Sequence, residues 1–312
     1  MSDDLRDVIG RILPAPENHL DAARMEEARK ARRSFMGKAL AMGAGAVAAA
    51  GAARPARAEG EDAILKMPEH TTGLGQGVVT DGYGKPSKWE GNLQRRQSPG
   101  LTRVNQASVS FTPLQGLFGI ITPSGLHFER HHQGWWDIDP SKHRLMVNGL
   151  VKRERVFTMD DLMRLPSVSR IHFIECGANT ATEWGNVAVP TVQYTHGMVS
   201  CSEFTGVLLS TLLEMCGIDR KKAKYVLAEG ADGSSMTRTI DIERAMDDCI
   251  VAWAMNGEML RPENGYPLRL VVPGVQGVSW VKYLRRIEVG DQKYATKDEA
   301  VHYIDHMPDG TH

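Results

Sequence analysis

Ile250-Val251-Ala252-Trp253-Ala254-Met255-Asn256-Gly257 is the stretch from which the architecture of this chain can be worked outward. Six apolar residues in a row read as a buried strand, and Asn256-Gly257 is the best hairpin signal in the sequence, because both residues tolerate positive φ. Downstream, Leu268 to Val272 and Val281 to Val289 read as further strands. Upstream, Ile242 to Asp247 is a short helix, and strands Lys224 to Ala228 and Met236 to Ile240 are joined through Asp232-Gly233. Leu208 to Cys216 is a helix that Gly217 caps. Arg170 to Glu175 alternates polar and apolar residues as a half-buried strand does, and Thr158 caps a short helix with Asp161 at its third position and Pro166 beyond its end. Arg144 to Val147 alternates as a strand that Asn148-Gly149 turns. Gly125 to Asp137 reads as a loop. Short strands mixed with short helices, in no βαβ rhythm, predict an α+β fold built on a mixed sheet, organised over residues 106–290. Residues 59–105, rich in Gly, Pro, Gln and charge, read as an extended arm with little regular structure, and 291–312 as a linker.

The whole chain has 312 residues, 42% of them hydrophobic, and a formal net charge of −1, enough for one large core or two ordinary ones. The near-neutral balance gives no sign of a surface built for nucleic acid, which needs a basic excess. Arg24, Arg29, Lys30, Arg32 and Arg33 precede a weakly apolar stretch from Ala39 to Ala53, and Ala56-Arg57-Ala58 supplies the small residues a signal peptidase reads. Arg32-Arg33-Ser34-Phe35-Met36 fits a twin-arginine export signal, so residues 1–58 are expected to be removed and the mature protein to work in the periplasm. The stretch is too short and too poor in Leu and Ile for a comfortable membrane span; an amphipathic helix on a cytosolic protein is the alternative. Export in the folded state is commonly used where a cofactor is inserted beforehand, which leads to the expectation of a heavy cofactor.

The four cysteines, Cys176, Cys201, Cys216 and Cys249, form no C-x-x-C pair, which removes zinc ribbons, iron–sulfur clusters and a covalently attached c-type haem from this chain. One disulfide is chemically allowed, with the pair left open. In Phe173-Ile174-Glu175-Cys176-Gly177-Ala178-Asn179 a strand ends at a thiol flanked by small residues that let a large ligand approach, while Asn179 can steady the turn. Taken alone, that segment fits a buried structural cysteine better than a ligand. Cys201, Cys216 and Cys249 read as structural, Cys216 on an apolar helix face and Cys249 entering a buried strand. Arg269 reads equally well as a solvated strand face, His131 and His132 as ordinary loop histidines, Lys282 as a solvent-facing residue between Val281 and Tyr283, and Trp135-Trp136 as a packing feature.

Four ordered segments change that weighting. Phe128-Glu129-Arg130-His131-His132 resembles the F-x-R-x-H cofactor loop of the sulfite oxidase family of molybdopterin enzymes, and Phe173 to Asn179 resembles its cysteine segment. Trp253 to Gly257 through Gly265-Tyr266-Pro267-Leu268-Arg269-Leu270-Val271-Val272-Pro273-Gly274 resembles its most recognisable stretch, and Gly277-Val278-Ser279-Trp280-Val281-Lys282 follows at the family's distance. The resemblance implies a molybdenum–molybdopterin cofactor whose metal is bound by the thiolate of Cys176. A soft sulfur donor suits that metal, and a high-valent centre keeps the thiol deprotonated. It also implies that Arg130, Arg269 and Lys282 grip the cofactor's phosphate and that Asp232 meets its pterin edge. Phe128, His131, His132, Asn264, Trp280 and Val281 complete the expected cofactor-binding set. Arg130 is expected to face the substrate as well, and Tyr303 to make a polar contact near it. Family members usually carry a C-terminal immunoglobulin-like dimerisation domain, which would begin where this sequence ends at His312.

Glu175 to Thr180, Gly134-Trp135-Trp136 and Gln193-Tyr194-Thr195-His196-Gly197 resemble a narrower group within the family, the sulfane dehydrogenases of periplasmic thiosulfate oxidation. That likeness implies oxygen-atom transfer to a sulfane sulfur tethered on a carrier protein, with electrons leaving to a dihaem c-type cytochrome subunit, and a homodimer or heterotetramer when full length. Two departures bear on the substrate. Thr180 and Ala181 stand where sulfite-oxidising members continue into paired arginines, so a small dianion loses a charge-assisted contact worth about 1.5–3 kcal/mol. Asn264 replaces a histidine that many members have. The alternatives are a periplasmic sulfite dehydrogenase or a reductase of methionine sulfoxide in proteins with the same fold, a cofactor-free interaction module, and a copper or zinc site using Cys176 and nearby histidines.

Overall fold

The computed structural model describes residues 83–97, 106–184, 191–232, 236–296, 299–300, 303 and 307–310, so the expected export signal and most of the expected arm lie outside the described residues. The chain divides into two units, Met1–Glu90 and Gly91–His312. The described part of the first holds a 3-10 turn at Lys88–Glu90. The second carries everything that follows.

In chain order its strands and helices are β1 (Arg96–Gln97), β2 (Val109–Phe111), β3 (Glu129–Arg130), β4 (Leu145–Gly149), β5 (Arg155–Phe157), α1 (Met159–Met163), β6 (Val168–Glu175), α2 (Val192–His196), β7 (Val199–Leu208), α3 (Leu209–Cys216), β8 (Tyr225–Gly230), β9 (Thr237–Asp241), α4 (Ile242–Asp247), β10 (Ile250–Met255), β11 (Glu258–Met259), β12 (Arg269–Val271) and β13 (Leu284–Gly290). They form three sheets: β1-β2-β3; β11-β10-β7-β6, with β12 also on β10; and β5-β4-β13-β8-β9. Every pairing is antiparallel except β4 with β13. This is the mixed α+β architecture that the short strands and helices predict.

The decisive stretch behaves as its composition dictates. β10 is an interior strand, paired with β7 along one edge and with β11 and β12 along the other, and five of its six residues are buried. Asn256 and Gly257 take φ of 54° and 78° and return the chain into β11, so Met255 pairs with Glu258. In α3, Leu209, Leu212, Leu213 and Cys216 recur at helical spacing, and all four are fully buried. Gly217 closes that helix in the left-handed region at φ 72°. Thr158 and Asp161 form a reciprocal capping box at the start of α1.

Several expectations need correction. Asn148-Gly149 does not turn the chain: both residues stay in the parallel ladder opposite Glu288 and Val289, and Gly149 is required because a Cβ there would collide with the Val289 backbone. Gly125–Asp137 is not all loop, since Glu129–Arg130 is the strand β3, and the arm contributes β1 to the same sheet. β6 alternates in the opposite phase to the expected one, burying Ile174 and leaving Ile171 and Phe173 exposed. The final strand starts at Leu284 rather than Val281, because Tyr283 takes φ 55° and breaks the extended run after an isolated Arg269–Lys282 bridge. The longest strand, β7, has no counterpart among the expected strands. Its inward face alternates Ser200, Ser202, Phe204 and Gly206, and the two serines hide the hydrophobic alternation. Thr112 and the Phe128 N–H satisfy the Ser200 hydroxyl, at 2.7 and 3.1 Å, so its burial leaves no orphaned polar atom.

Candidate functional site

Strand ends and connections of the three sheets converge on one cavity of roughly 780 Å³, its open mouth included. Phe128 precedes β3, Arg130 ends it, and His131 and His132 follow. Cys176 comes directly after β6, and Asp232 follows β8. Asn264 closes the 3-10 turn Pro262–Asn264, where Gly265 takes φ 106°, and Arg269 opens β12. Trp280, Val281 and Lys282 lie in the connection from β12 to β13, and Tyr303 reaches in from the C-terminal segment. The cavity thus gathers every candidate residue that the sequence singles out.

One side of the cavity is cationic. Arg269 is 3% exposed. It donates from Nη1 to the Asn264 carbonyl at 3.0 Å and from Nη2 to the Trp280 carbonyl at 3.1 Å. Burial lowers its pKa to about 10. Lys282 donates to His131 Nδ1 at 2.9 Å and to the carbonyls of Glu263 and Arg130 at 3.2 and 3.3 Å. Burial, with the Arg269 charge adding to it, lowers Lys282 to about 7. Neither residue is the freely solvated strand side chain that simple alternation allows: Arg269 is buried, and the Lys282 ammonium is held by three acceptors. Trp280 walls the cavity, its indole N–H donating to the Val275 carbonyl at 3.2 Å and its ring edge-on to Phe204. Arg238 stacks over the Tyr303 ring at 4.9 Å.

The other side presents the thiol. Cys176 is half-buried; its N–H donates to the Met198 carbonyl at 3.0 Å, and its carbonyl accepts from Asn179 N–H at 2.9 Å. Asn179 ties the end of β6 to the start of β7, accepting from Met198 N–H at 3.1 Å and donating to Glu175 at 3.0 Å. Burial pushes the Cys176 thiol pKa up, opposed by the Ala178 N–H and the Arg130 charge. Gly177 leaves space that Gln276 fills, for a Cβ there would meet Gln276 Oε1 at 2.5 Å. All four cysteines carry free thiols. Trp135 and Trp136 are exposed, contrary to the packing expectation, although the Trp136 N–H reaches the Tyr283 hydroxyl at 3.2 Å.

The residues lining the cavity also carry buried polar atoms without a hydrogen-bond partner: His127 Nε2, Asn264 Oδ1 and Arg269 Nε. Burial holds His127 neutral, with a pKa of about 3, and its Nδ1 meets the Phe128 carbonyl at 2.8 Å. Nε2 is therefore a lone-pair acceptor. Two acceptors and one donor left unpaired in one cavity are costly unless a bound group completes them. The set fits a ligand with N–H groups along one edge and an anionic end. Among the described residues, no three His, Cys, Asp or Glu side chains are grouped to hold a metal ion, as a closed zinc or copper site needs. Sequence reading passes over His127, Glu129, Glu263 and Met236, which line the cavity. It also passes over Arg95, which pairs with Glu129 from the arm. The adjacency of His127 to Phe128 is a usable signal for the first; Arg95 has none.

Residues 132–297 match the family model described as the oxidoreductase molybdopterin binding domain. The chain belongs to this family. Its cofactor is molybdenum–molybdopterin, as the donor set of the cavity fits. The molybdopterin-binding oxidoreductases similar to it include the crystal structure of the sulfane dehydrogenase SoxCD from Paracoccus pantotrophus, 42% identical with a TM-score of 0.75, over 80% of this chain and 64% of that one. This places the chain in the sulfite oxidase family, near SoxC. Curated relatives include the nitrate reductase [NADPH] of Phytophthora infestans, 35% identical over 58% of this chain and 21% of that protein. The nitrate reductase [NADH] of Solanum lycopersicum is 38% identical over 60% and 22%. The chain therefore spans about a fifth of the length of these curated relatives. Among the described residues no helix is long and apolar enough to cross a membrane.

Proposed function

We propose that this molybdopterin-binding oxidoreductase oxidises sulfane sulfur tethered to a carrier protein and passes the electrons to a dihaem c-type cytochrome, in the periplasm after twin-arginine export. In this reading residues 1–58 are the signal, 59–105 the arm, 106–290 the catalytic domain and 291–312 the linker to a dimerisation domain.

When bound, the cofactor supplies oxygen-atom transfer coupled to a two-electron change. The protein's part begins with the thiolate of Cys176 as the metal's protein ligand. Arg269 and Lys282 hold the phosphate, with fork and point charge respectively. His127 Nε2, Asn264 Oδ1 and Asp232 accept from the pterin's N–H edge, and His132 lines the same wall. Phe128, Trp280 and Val281 exclude water, which strengthens each of those contacts. Arg130, whose charge acts on Cys176, meets the substrate, with Tyr303 as a second polar contact.

The observation that carries the substrate choice is the charge at the thiol side. Among the described residues that line the cavity the cations are Arg130, Arg269 and Lys282, and the latter two are committed to the opposite side. Thr180, at φ 68°, and Ala181 add none. A free dianion has little to hold it there, whereas a tethered sulfur draws its affinity from the carrier. Likeness to nitrate reductases over a fifth of their length supports the shared cofactor domain and says little about substrate.

The test loads the protein with cofactor and offers three substrates separately: carrier-bound sulfane with oxidised cytochrome c, free sulfite with oxidised cytochrome c, and nitrate with a reductant. Turnover is expected with the first. Fast turnover of free sulfite or of nitrate, with the carrier inert, overturns the reading.

A further inference from the structure

We infer that Glu129 and His131 are positioning residues for Lys282, forming a carboxylate–imidazole–ammonium chain that fixes the lysine's charge toward the cavity. These two residues occupy the variable places of the Phe128–His132 loop. The inference deepens the proposed function, since it rests on Lys282 meeting the cofactor's phosphate. It also reassigns His131 from a direct cofactor contact to a residue that acts through Lys282.

The chemistry of the three groups fixes the arrangement. Both ring nitrogens of His131 are engaged, Nε2 with Glu129 Oε2 at 2.8 Å and Nδ1 with Lys282 Nζ at 2.9 Å. An ammonium can only donate, so Nδ1 is the lone pair and Nε2 carries the proton, which it gives to the carboxylate. Arg95 pairs with Glu129 on its far side, and exposure falls along the chain from 24% at Arg95 through 17% at Glu129 to 1% at the His131 side chain. Burial raises the Glu129 carboxyl, but the His131 hydrogen bond and the Arg95 charge hold it below the usual range, so it remains an acceptor.

The imidazole also solves an electrostatic problem. Lys282 has three acceptors: His131 Nδ1 and the carbonyls of Arg130 and Glu263. All three are neutral, so they orient the ammonium without cancelling its charge. A carboxylate in direct contact would satisfy the donor but neutralise the field an anion needs. Placing Glu129 one ring away keeps the acceptor strong and the cation free. Burial depresses Lys282, with Arg269 and Arg130 acting the same way, while the charges of Asp232 and of Glu129 one ring away oppose the shift.

Glu129→Gln puts an amide where the carboxylate was. Its N–H can donate to Nε2, which moves the ring proton to Nδ1 and sets donor against donor at Lys282. The experiment compares cofactor-loaded wild type, Glu129→Gln, Lys282→Met and the double variant by pterin and molybdenum retained per chain after dilution into excess buffer. Ring-nitrogen NMR of histidine-labelled wild type reads the tautomer directly. Glu129→Gln is expected to weaken retention roughly tenfold to a hundredfold. The same change in the Lys282→Met background is expected to add little, Glu129→Asp to restore part of the loss, and His131 to carry its proton on Nε2. Equal losses from Glu129→Gln in both backgrounds, or a proton on Nδ1 in wild type, overturn the inference. If Glu129→Gln fails to fold, the wild-type tautomer still decides. Unchanged retention in Lys282→Met sinks the underlying phosphate assignment instead.

Discussion

The two sides of the cavity are built on opposite principles. At the cationic side, Arg269 is buried, Lys282 is half-buried, and most of their donors have a neutral acceptor at 2.9–3.3 Å. At the thiol side, Cys176 sits half-buried and the residues that follow it, Gly177 to Ala181, are uncharged. The first side is part of the fold; the second is only held by it. Gripping a resident group needs fixed charge in a dry place, whereas exchanging a substrate needs an open place with little charge of its own.

Substitutions can break or sharpen that contrast. Cys176→Ser is expected to have the largest effect, abolishing molybdenum retention and turnover while leaving the melting temperature of the cofactor-free protein unchanged; metal analysis and thermal melts check both halves. Arg269→Met is expected to lose the cofactor and also to cost about 1–3 kcal/mol of stability, because the carbonyls of Asn264 and Trp280 lose their buried donor. A denaturant titration of cofactor-free protein that finds Arg269→Met as stable as wild type removes the distinction between the two sides. Ala181→Arg adds charge at the open side and is expected to raise kcat/KM for free sulfite by about tenfold, the equivalent of a weak charge-assisted contact.

The smallest effect concerns pH. Lys282 is lowered to about 7 from an unfolded value near 10.5. Between those values the unfolded chain binds more protons, so cofactor-free wild type gains stability as pH rises through that window and loses it again toward neutrality. Subtracting the Lys282→Met profile removes groups common to both. A difference that is flat from pH 7 to 10 contradicts the enclosure of this lysine.

Much of this was legible in residues whose local and global preferences agree. The Asn256-Gly257 hairpin, the capping box at Thr158 and the helix ended by Gly217 each follow from backbone chemistry within a few positions. β7 was not legible, because Ser200 and Ser202 face inward and are satisfied by partners far along the chain, Thr112 and Phe128. Lys282 read as a surface residue for a similar reason. Its alternation with Val281 and Tyr283 implies an exposed face, whereas its ammonium bonds to His131 and to the carbonyls of Arg130 and Glu263, partners far along the chain. The candidate residues themselves could be named from motifs, but their meeting in one cavity depends on three sheets whose pairings no local pattern specifies. Arg95 lies in a stretch without periodicity, so its support of Glu129 could be learned only from the fold.

The parallel contact of β4 with β13 has a consequence for how the protein is made. His143, just before β4, donates from Nε2 to the Leu284 carbonyl at 2.8 Å across 141 positions of chain. Such a distant pairing closes slowly and only after the intervening residues exist. Trp280, Val281 and Lys282 directly precede β13, so they reach the cavity as that strand docks. A chain that ends before Trp280 has its thiol and its F-x-R-x-H loop but lacks that wall of the cavity, so the cofactor's site is completed only once β13 has docked.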